Sequence, residues 1–480
     1  MSRPPNLFRL AILHVGLLLA RAGLVDRERA VETTDLAWPR IVTGVARMSK
    51  NAIDVAMVGI AVGTTAVAGV GLAGPFWGLA FAVGGGVAGG TIALVSQRYG
   101  ADADEGLGLA VRSSTLLVVA LSLPITAAFW LFPRELVSLL TDDAATIRYG
   151  ASYLRVVGFG VPFAGLNLVG SRILVGVDDA YTAMQIRASG AVLNVALNAV
   201  FLFGFGWGVS GAALGTVLSN VAPTAAFAVG ISLGRLPGVT SFPVRVDPFG
   251  SFVDRGTLAD LVNIGLPVGA RNLVWTAAEF PMLGILAIFG TNTVASFVIA
   301  RRIWGVMNTP GWGFGLASSS LVGQALGRGD EEEAEAYGRD IIRFAVAVYL
   351  VSAALIAVFA DELVVLFMGG SSSAAVPLAT NLVYAACVAV VFQGVSGASI
   401  GPLDASGDTR TPFVSQFLGM FCGSIPLAYL GATTALGHWG IYLAFLAETT
   451  VPAAINYWRF RSDHWKEISR AYRPDSSPAG

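Results

Sequence analysis

The sequence predicts an all-α polytopic membrane protein with twelve transmembrane helices in two similar halves. Composition is the first indication, because 55% of the 480 residues are hydrophobic and only 13% are charged, with a mean hydropathy of +0.69. A soluble protein needs far more charge to cover its surface. Runs of about 20 apolar residues, the length that crosses a bilayer core, recur along the chain. The third indication is that the second half restates the first.

Twelve apolar segments define the predicted helices and domains. Residues 8–20 are too short to span a bilayer and precede a charged stretch, so we expect an interfacial helix there rather than a signal peptide. The predicted transmembrane helices are 36–61, 66–96, 107–131, 150–176, 183–204, 209–233, 258–289, 294–324, 338–360, 376–402, 413–431 and 437–458. The predicted domains are a cytoplasmic or interfacial segment 1–35, an N-terminal six-helix lobe 36–233, a cytoplasmic linker 234–257, a C-terminal six-helix lobe 258–458 and a cytoplasmic tail 459–480.

Basic residues predict the orientation of the chain. They gather at both termini and in loops on one side, which the positive-inside rule makes cytoplasmic. Only the loop with Arg134 and Arg148 departs from this pattern. We therefore expect a protein of the inner or plasma membrane with both termini in the cytoplasm. The basic loop residues are Arg98, Arg112, Arg235, Arg245, Arg255, Arg328, Arg339 and Arg410, and the turns without Lys or Arg are 61–66, 204–209, 290–294 and 361–375.

The cysteines and histidines predict neither a disulfide framework nor a metal site. Cys387 and Cys422 fall within predicted helices, where we expect them to act as packing residues. His14, His438 and His464 are scattered, with no neighbours at metal-ligand spacing. We expect no cofactor.

The internal repeat has a shift of roughly 226 to 232 residues, which is the length of one half of the chain. Its clearest copies are LVSQRYGADADE from Leu94 and LVGQALGRGDEE from Leu321. Each half holds six helices, an even number, so both halves begin on the same side and are parallel repeats. The other matched pairs are GTTAVAGVGLA from Gly63 with GTNTVASFVIA from Gly290, Pro39 with Pro267, and VDDAYT from Val177 with SGDTRT from Ser406.

Together, the repeat, the loop motifs and the helix count resemble the multidrug and toxic compound extrusion (MATE) family of cation-coupled exporters. The resemblance covers roughly residues 36 to 458. Its most specific segments are WPRIVTGVARMSKNAIDVAMVGIAVG from Trp38, the SQRYGAD loop, and NVALNAVFLFGFGWGVSGAALGTVLS from Asn194. The family implies two pseudo-symmetric six-helix lobes in a V around a central cavity, and export by alternating access in exchange for sodium ions or protons.

Asp54 is the strongest candidate for the coupling residue. An ionisable side chain inside a spanning helix costs about 2.5 to 3.5 kcal/mol on insertion scales, so each one is a functional candidate. Asp54 lies fifteen residues after Pro39, the spacing at which the resembling family places its coupling carboxylate. Lys50 sits at i−4, on the same helix face. We expect the two to pair in one transport state and separate in the other, although a purely structural salt bridge is the alternative.

Polar residues of the fifth and sixth helices complete the predicted ion or proton site. Asn194 and Asn198 are i, i+4, so both amides can face one cavity. Asn194 and Thr216 match positions of the family's site, whereas Asn198 stands where relatives commonly carry a second aspartate. Asp54, Asn194 and Thr216 also offer the oxygen atoms that a sodium ion requires. Ordinary interhelical hydrogen bonds are the alternative for the three polar residues.

The predicted substrate cavity takes one residue from the first half and two from the second. Arg47 lies in the first predicted helix. Glu279 resembles an acidic residue that some relatives carry in the seventh helix, and its expected acidic companion in the tenth helix is Gln393. Glu279 is equally well explained as a structural partner of Arg271 or Arg301.

The function predicted from these residues is secondary active antiport. The substrates are small amphipathic or cationic organic molecules, exported in exchange for protons or sodium ions. The alternative is a flippase for lipid-linked sugars, which the basic Arg47, Lys50, Arg271 and Arg301 keep open. No nucleophile with its base, phosphate loop or filter-like repeat points to an enzyme or a channel. We expect a monomer in the lipid bilayer, with small-molecule substrates and no nucleic acid as partner.

Overall fold

The computed structural model describes residues 7–236, 242–368 and 375–473, so parts of the predicted N-terminal segment, linker and tail lie outside it. The described chain is helical almost throughout. Its α-helices are α1 (Leu7–Arg21), α2 (Arg27–Ala61), α3 (Thr64–Gly100), α4 (Asp104–Leu131), α5 (Pro133–Ser138), α6 (Ala144–Val157), α7 (Val161–Gly176), α8 (Ala180–Ala199), α9 (Gly208–Leu233), α10 (Arg255–Phe289), α11 (Thr291–Met307), α12 (Thr309–Arg328), α13 (Glu331–Val358), α14 (Ala360–Met368), α15 (Val376–Ser406), α16 (Arg410–Phe417), α17 (Ile425–Thr433), α18 (Trp439–Arg461) and α19 (His464–Arg470).

Nine helical stretches of the described chain are long and apolar enough to cross a membrane by length and composition. They match nine of the predicted helices to within a few residues. The other three predicted helices are present as α2, α11 followed by α12, and α18. Of these, α2 carries four charged residues between Arg40 and Asp54, and α12 follows α11 after Asn308. The predicted all-α fold with twelve membrane helices in two similar halves is confirmed.

The first membrane helix begins at Arg27, so its predicted start at residue 36 is wrong. The sequence analysis placed the charged residues 27–35 in the N-terminal segment, before the first membrane helix. In the structure these charges are satisfied by tertiary partners: Arg29 Nε contacts Asp340 Oδ2 at 2.7 Å, and Glu32 accepts a hydrogen bond from the Tyr337 hydroxyl. Ion pairing with α13 therefore lets the helix continue outward.

Two compact units make up the described chain. We name Val42–Gly269 the N-unit, and the described residues up to Ile41 and from Ala270 onward the C-unit. Both boundaries fall inside helices, one within α2 and one within α10. The lobe boundaries 36–233 and 258–458 stay a prediction.

The predicted internal repeat is present in the backbone. Gly63 and Gly290, which directly precede α3 and α11, have φ angles of 111° and 107°. Glycine adopts such angles readily, and aspartate tolerates moderately positive φ angles. Each of the turns related by the repeat has a glycine or an aspartate at the position with positive φ. The pairs of positive φ at matching positions are Gly63 with Gly290, Asp102 with Gly329, Asp178 with Gly407, Gly208 with Gly437, and Gly234 with Asp463.

The interior of each unit is built around one long helix. In the N-unit, glycines of α3 let the backbones of α6 and α10 come into direct contact with it. A Cβ added to Gly69 would lie 2.7 Å from the Gly150 nitrogen, and a Cβ added to Gly86 would lie 2.7 Å from the Gly265 oxygen. Small residues allow such packing where lipid removes the hydrophobic drive between helices. In the C-unit, α15 packs through Gly394 against the buried ring of Tyr349.

Candidate functional site

A cavity of about 570 Å³ lies within the N-unit. Residues of α2, α3, α6, α7, α8 and α9 form its wall. Its polar lining combines charged, amide and hydroxyl groups, and its apolar lining includes two aromatic rings. The polar lining residues are Thr43, Arg47, Lys50, Asn51, Asp54, Tyr153, Asn167, Arg187, Thr216, Ser219 and Asn220.

Asp54 is held in this cavity by its predicted neighbours. Lys50 Nζ lies 2.7 Å from Asp54 Oδ2, and the side chains are 18% and 19% exposed. Asn198 Nδ2 donates to Asp54 Oδ1 at 2.8 Å. The i, i+4 spacing on α2 places the ammonium over the carboxylate, while α8 supplies the amide from across the cavity.

Asn194 completes the contacts of the carboxylate. With its amide oriented so that nitrogen faces Asp54, Asn194 donates to Oδ1 at 2.7 Å and accepts from Ser219 Oγ at 3.2 Å. This orientation satisfies both ends of the amide, whereas the reverse one leaves its oxygen facing the carboxylate. Asn194 and Asn198 are both fully buried. Three nitrogen donors therefore converge on one carboxylate.

Thr216 lies one step further from the carboxylate than the sequence predicted. Its hydroxyl donates to the Ala212 carbonyl at 3.0 Å. The hydroxyl therefore supports the wall next to Asn194, and it makes no hydrogen bond to Asp54 in the described chain. The groups around Asp54 in this state are nitrogen donors, which stabilise an ionised carboxylate, whereas a sodium ion requires oxygen ligands.

The position of Asn198 depends on a glycine of α9. A Cβ on Gly215 would lie 2.0 Å from Asn198 Oδ1, so only glycine leaves room for this amide. The α-helix of Asn198 passes into a π-helical turn at Val200–Gly204, a distortion that is common at functional sites. Asn198 Oδ1 is buried and has no hydrogen-bond partner in the described chain.

Two arginines near the cavity were missed by the sequence reasoning. Arg187 lines the cavity together with Arg47, whose Cζ lies 5.3 Å from the centroid of the Phe81 ring. Arg172 is within electrostatic range of Arg47, and Arg187 of both. Both missed arginines fall inside predicted membrane helices, so the rule that flagged Asp54 applies equally to them.

The predicted residues Glu279 and Gln393 belong to the C-unit and are not among the residues that line this cavity. Glu279 is exposed. The alternative that it pairs with Arg271 or Arg301 is wrong. Arg271 instead donates to both carboxylate oxygens of Asp404, at 3.0 and 2.9 Å.

Arg301 is paired with Glu448, a buried carboxylate that the sequence reasoning did not single out. Its two Nη atoms each lie 2.5 Å from a Glu448 oxygen, and Glu448 is 1% exposed. Four aromatic rings surround the guanidinium at 4.8 to 5.9 Å from their centroids: Trp275, Phe297, Trp304 and Phe445. A bidentate pair in an aromatic cage is a rigid structural unit.

Comparison with known proteins agrees with this architecture. A family model described as MatE matches residues 39–200 and 267–430, two segments separated by the predicted repeat shift. The chain is 26% identical over 449 residues to a probable multidrug resistance protein NorM of Bradyrhizobium diazoefficiens, covering 90% of this chain and 93% of that one.

Solved structures give the same result. A crystal structure of MATE in complex with MaL6 is 25% identical, with a TM-score of 0.82 over 92% of this chain and 97% of that one. An outward-facing multidrug resistance MATE family transporter of the MOP superfamily is 25% identical, with a TM-score of 0.81 over 92% and 96% of the two chains.

Proposed function

Because the chain belongs to the MatE family of membrane transporters, we propose that it is a secondary active antiporter. It exports small amphipathic or cationic organic molecules by alternating access, in exchange for protons or sodium ions. The multidrug resistance protein to which it is similar over nine-tenths of its length supports this assignment. The proposal needs a titratable or cation-binding group inside a membrane cavity, and Asp54 is such a group.

The observation that carries the proposal is the arrangement of Lys50, Asn194 and Asn198 around Asp54 in the N-unit cavity. In the described state the carboxylate is fully engaged by nitrogen donors. A proton taken up on an Asp54 oxygen removes its negative charge, which frees Lys50 and turns the carboxyl group into a donor. The network must then rearrange, and this rearrangement is the step that couples ion uptake to the change of state.

Dye efflux from proteoliposomes tests this proposal. Proton and sodium gradients are imposed separately, with one anionic and one cationic dye, for wild type and Asp54→Asn. We expect one gradient to drive efflux and Asp54→Asn to reduce the coupled rate roughly a hundredfold, because an amide cannot cycle a charge; general acid–base groups typically contribute factors of this size.

The matched control is Glu28→Gln, which removes an exposed carboxylate from the same helix. It should transport like wild type. If coupled efflux survives in Asp54→Asn at the wild-type rate, Asp54 is not the coupling residue.

Lys50 provides a second test, because its ammonium pairs with Asp54 at 2.7 Å. If the pair forms in one state and separates in the other, Lys50→Ala removes the competitor for the Asp54 charge. We expect the rate of coupled efflux and its dependence on pH to change, because no ammonium then competes with the coupling ion for the Asp54 carboxylate. Unchanged transport with an unchanged pH profile would exclude this role.

We propose further that the chain is a monomer of the cell membrane with both termini cytoplasmic. The distribution of Lys and Arg among the loops supports this orientation. Labelling of single cysteines placed at each terminus, from intact cells and from inverted vesicles, tests it. If a reagent outside intact cells labels a cysteine at either terminus, that terminus is not cytoplasmic and the proposed orientation is wrong.

The second candidate function is a flippase for lipid-linked sugars. The observation in its favour is that Arg47, Lys50 and Arg187 all line the N-unit cavity. Translocation of a fluorescent polyprenyl-phosphate sugar, without efflux of either dye, would replace the antiporter proposal with this one.

A further inference from the structure

The N-unit cavity holds more positive charge than the coupling site uses. Among the described residues that line it, Arg47, Lys50 and Arg187 are cationic and Asp54 is the one carboxylate. Lys50 already neutralises Asp54 through their 2.7 Å contact. At the wall of this cavity, Arg187 therefore adds a positive charge that no carboxylate of the described chain pairs.

A third arginine reinforces this excess. Arg172 lies within electrostatic range of Arg47 and Arg187, and the three come from α2, α7 and α8. Neither Arg172 nor Arg187 forms an ion pair with a carboxylate in the described chain. Three helices thus bring like charges together, although such charges repel one another and are costly in a membrane.

Arg172 and Arg187 also leave donors unused. The Nη1 atom of each is shielded from solvent and has no hydrogen-bond partner in the described residues. Buried donors are nearly always satisfied in native proteins, and a charged one is the most expensive to leave free. A ligand with oxygen acceptors in the cavity would satisfy the donor of Arg187, which lines it.

The rest of the wall is apolar and leaves space. Trp77 and Phe81 supply aromatic surface, and a Cβ on Gly71, Gly74 or Gly78 of α3 would meet nothing within 4 Å. The volume of about 570 Å³ is that of pockets for small organic ligands.

We propose that this cavity binds the anionic head group, a phosphate or a carboxylate, of an amphipathic substrate. Planar guanidinium groups match both oxyanions with paired donors, whereas a cationic drug would be repelled. Arg47 and Arg187 are the direct ligands, and Arg172 is a positioning residue that acts through them. The aromatic rings and the glycine face of α3 receive the apolar body. That the ligand is the transported substrate rests on the proposed function.

Direct binding to the purified full chain in an uncharged detergent tests the proposal. The probes are carboxyfluorescein and rhodamine 6G, which are xanthene dyes of opposite charge. Their binding is measured by fluorescence anisotropy. We expect wild type to bind carboxyfluorescein roughly tenfold tighter than rhodamine 6G, and Arg187→Gln or Arg47→Gln to weaken that binding roughly tenfold, the size of one charged contact. Arg155→Gln, an exposed arginine of the same unit outside the cavity, should bind like wild type.

Thermal stability separates a binding role from a structural one. Because Arg187 has no carboxylate partner and repels two neighbours, Arg187→Gln should unfold at the same temperature as wild type or higher. A loss of binding without a loss of stability supports the proposal. Tighter binding of rhodamine 6G, or unchanged carboxyfluorescein binding in both variants, overturns it.

Competition distinguishes the sources of the anionic group. Displacement of carboxyfluorescein by phenyl phosphate or benzoate supports a free organic anion, and displacement by lysophosphatidic acid alone supports a lipid head group. If none of these compounds competes, the cavity does not recognise oxyanions and the proposal fails.

The binding test is independent of transport. Charge-selective binding without gradient-driven efflux would leave the anion site standing and refute the antiporter. Efflux that depends on Asp54 but not on Arg47 or Arg187 would do the reverse.

Discussion

The N-unit and the C-unit share a fold but differ in how their membrane-embedded charges are matched. In the N-unit, Asp54 has a cation on the same helix, while Arg172 and Arg187 have no carboxylate partner in the described chain. In the C-unit, Arg271 is paired with Asp404 and Arg301 is paired with Glu448, each through two hydrogen bonds.

This difference indicates that the charged residues of the two repeated halves have different roles. A charge that is fully paired and caged by aromatic rings stabilises one conformation, because separating the pair leaves a bare ion in an apolar surrounding. A charge left without a protein partner instead remains available to a ligand or a proton. The two ion pairs of the C-unit are therefore consistent with a structural role, and the unpaired arginines of the N-unit support the proposed binding site.

The largest effect is expected from breaking the C-unit pair. Glu448→Gln leaves the Arg301 guanidinium unneutralised inside its aromatic cage, which should lower the free energy of unfolding by about 3 to 5 kcal/mol. Unfolding of the purified protein by titration with sodium dodecyl sulfate measures this change in the free energy of unfolding. Replacing both partners, Arg301→Met with Glu448→Met, should recover most of the loss.

Glu279→Gln is the control for this experiment, since Glu279 is an exposed acid of the same unit. It should leave stability unchanged. Equal stability of Glu448→Gln and wild type would remove the contrast between the two units.

A smaller effect is expected from filling the space beside Asn198. The new methyl of Gly215→Ala would lie 2.0 Å from Asn198 Oδ1, so the amide must move and its hydrogen bond to Asp54 is lost. We expect destabilisation of about 1 to 3 kcal/mol, typical of overpacking, together with slower coupled efflux. Gly284→Ala, at a helical glycine of α10 whose added Cβ would also meet nothing within 4 Å, is the matched control. If both variants transport equally well, the Asn198 contact does not matter for coupling.

The smallest effect is expected outside the membrane, at the start of α2. Asp26 accepts backbone hydrogen bonds from Glu28 at 2.8 Å and Arg29 at 3.1 Å, and the bond from Arg29 lowers the pKa of its carboxyl. Asp26→Ala should cost about 1 kcal/mol as a lost helix cap.

Because the pKa is lowered on folding, this contribution is complete above the ordinary aspartate pKa of about 3.9 and is lost as pH falls through the folded value. The difference in unfolding between wild type and Asp26→Ala should thus be constant at neutral pH and vanish in acid. A difference that grows in acid would contradict the capping role.

Local pattern was sufficient for most of the fold. Hydropathy located all twelve membrane helices because a bilayer requires an apolar segment of nearly fixed length wherever the chain crosses it. It failed at the start of α2, where Arg29 and Glu32 are polar in sequence but are satisfied by Asp340 and Tyr337. The partners lie about 300 residues away, with separations of 311 and 305.

For the candidate site, the sequence by itself determined what lies on one helix: Lys50 over Asp54, and Asn194 with Asn198, because i, i+4 spacing puts side chains on one face. Only the tertiary structure decided which helices meet. It brought Arg172 and Arg187 beside Arg47, moved Thr216 one step back from Asp54, and gave Arg301 a partner 147 residues away. Packing between helices depends on the shapes of all their faces at once, and no window of sequence contains that information.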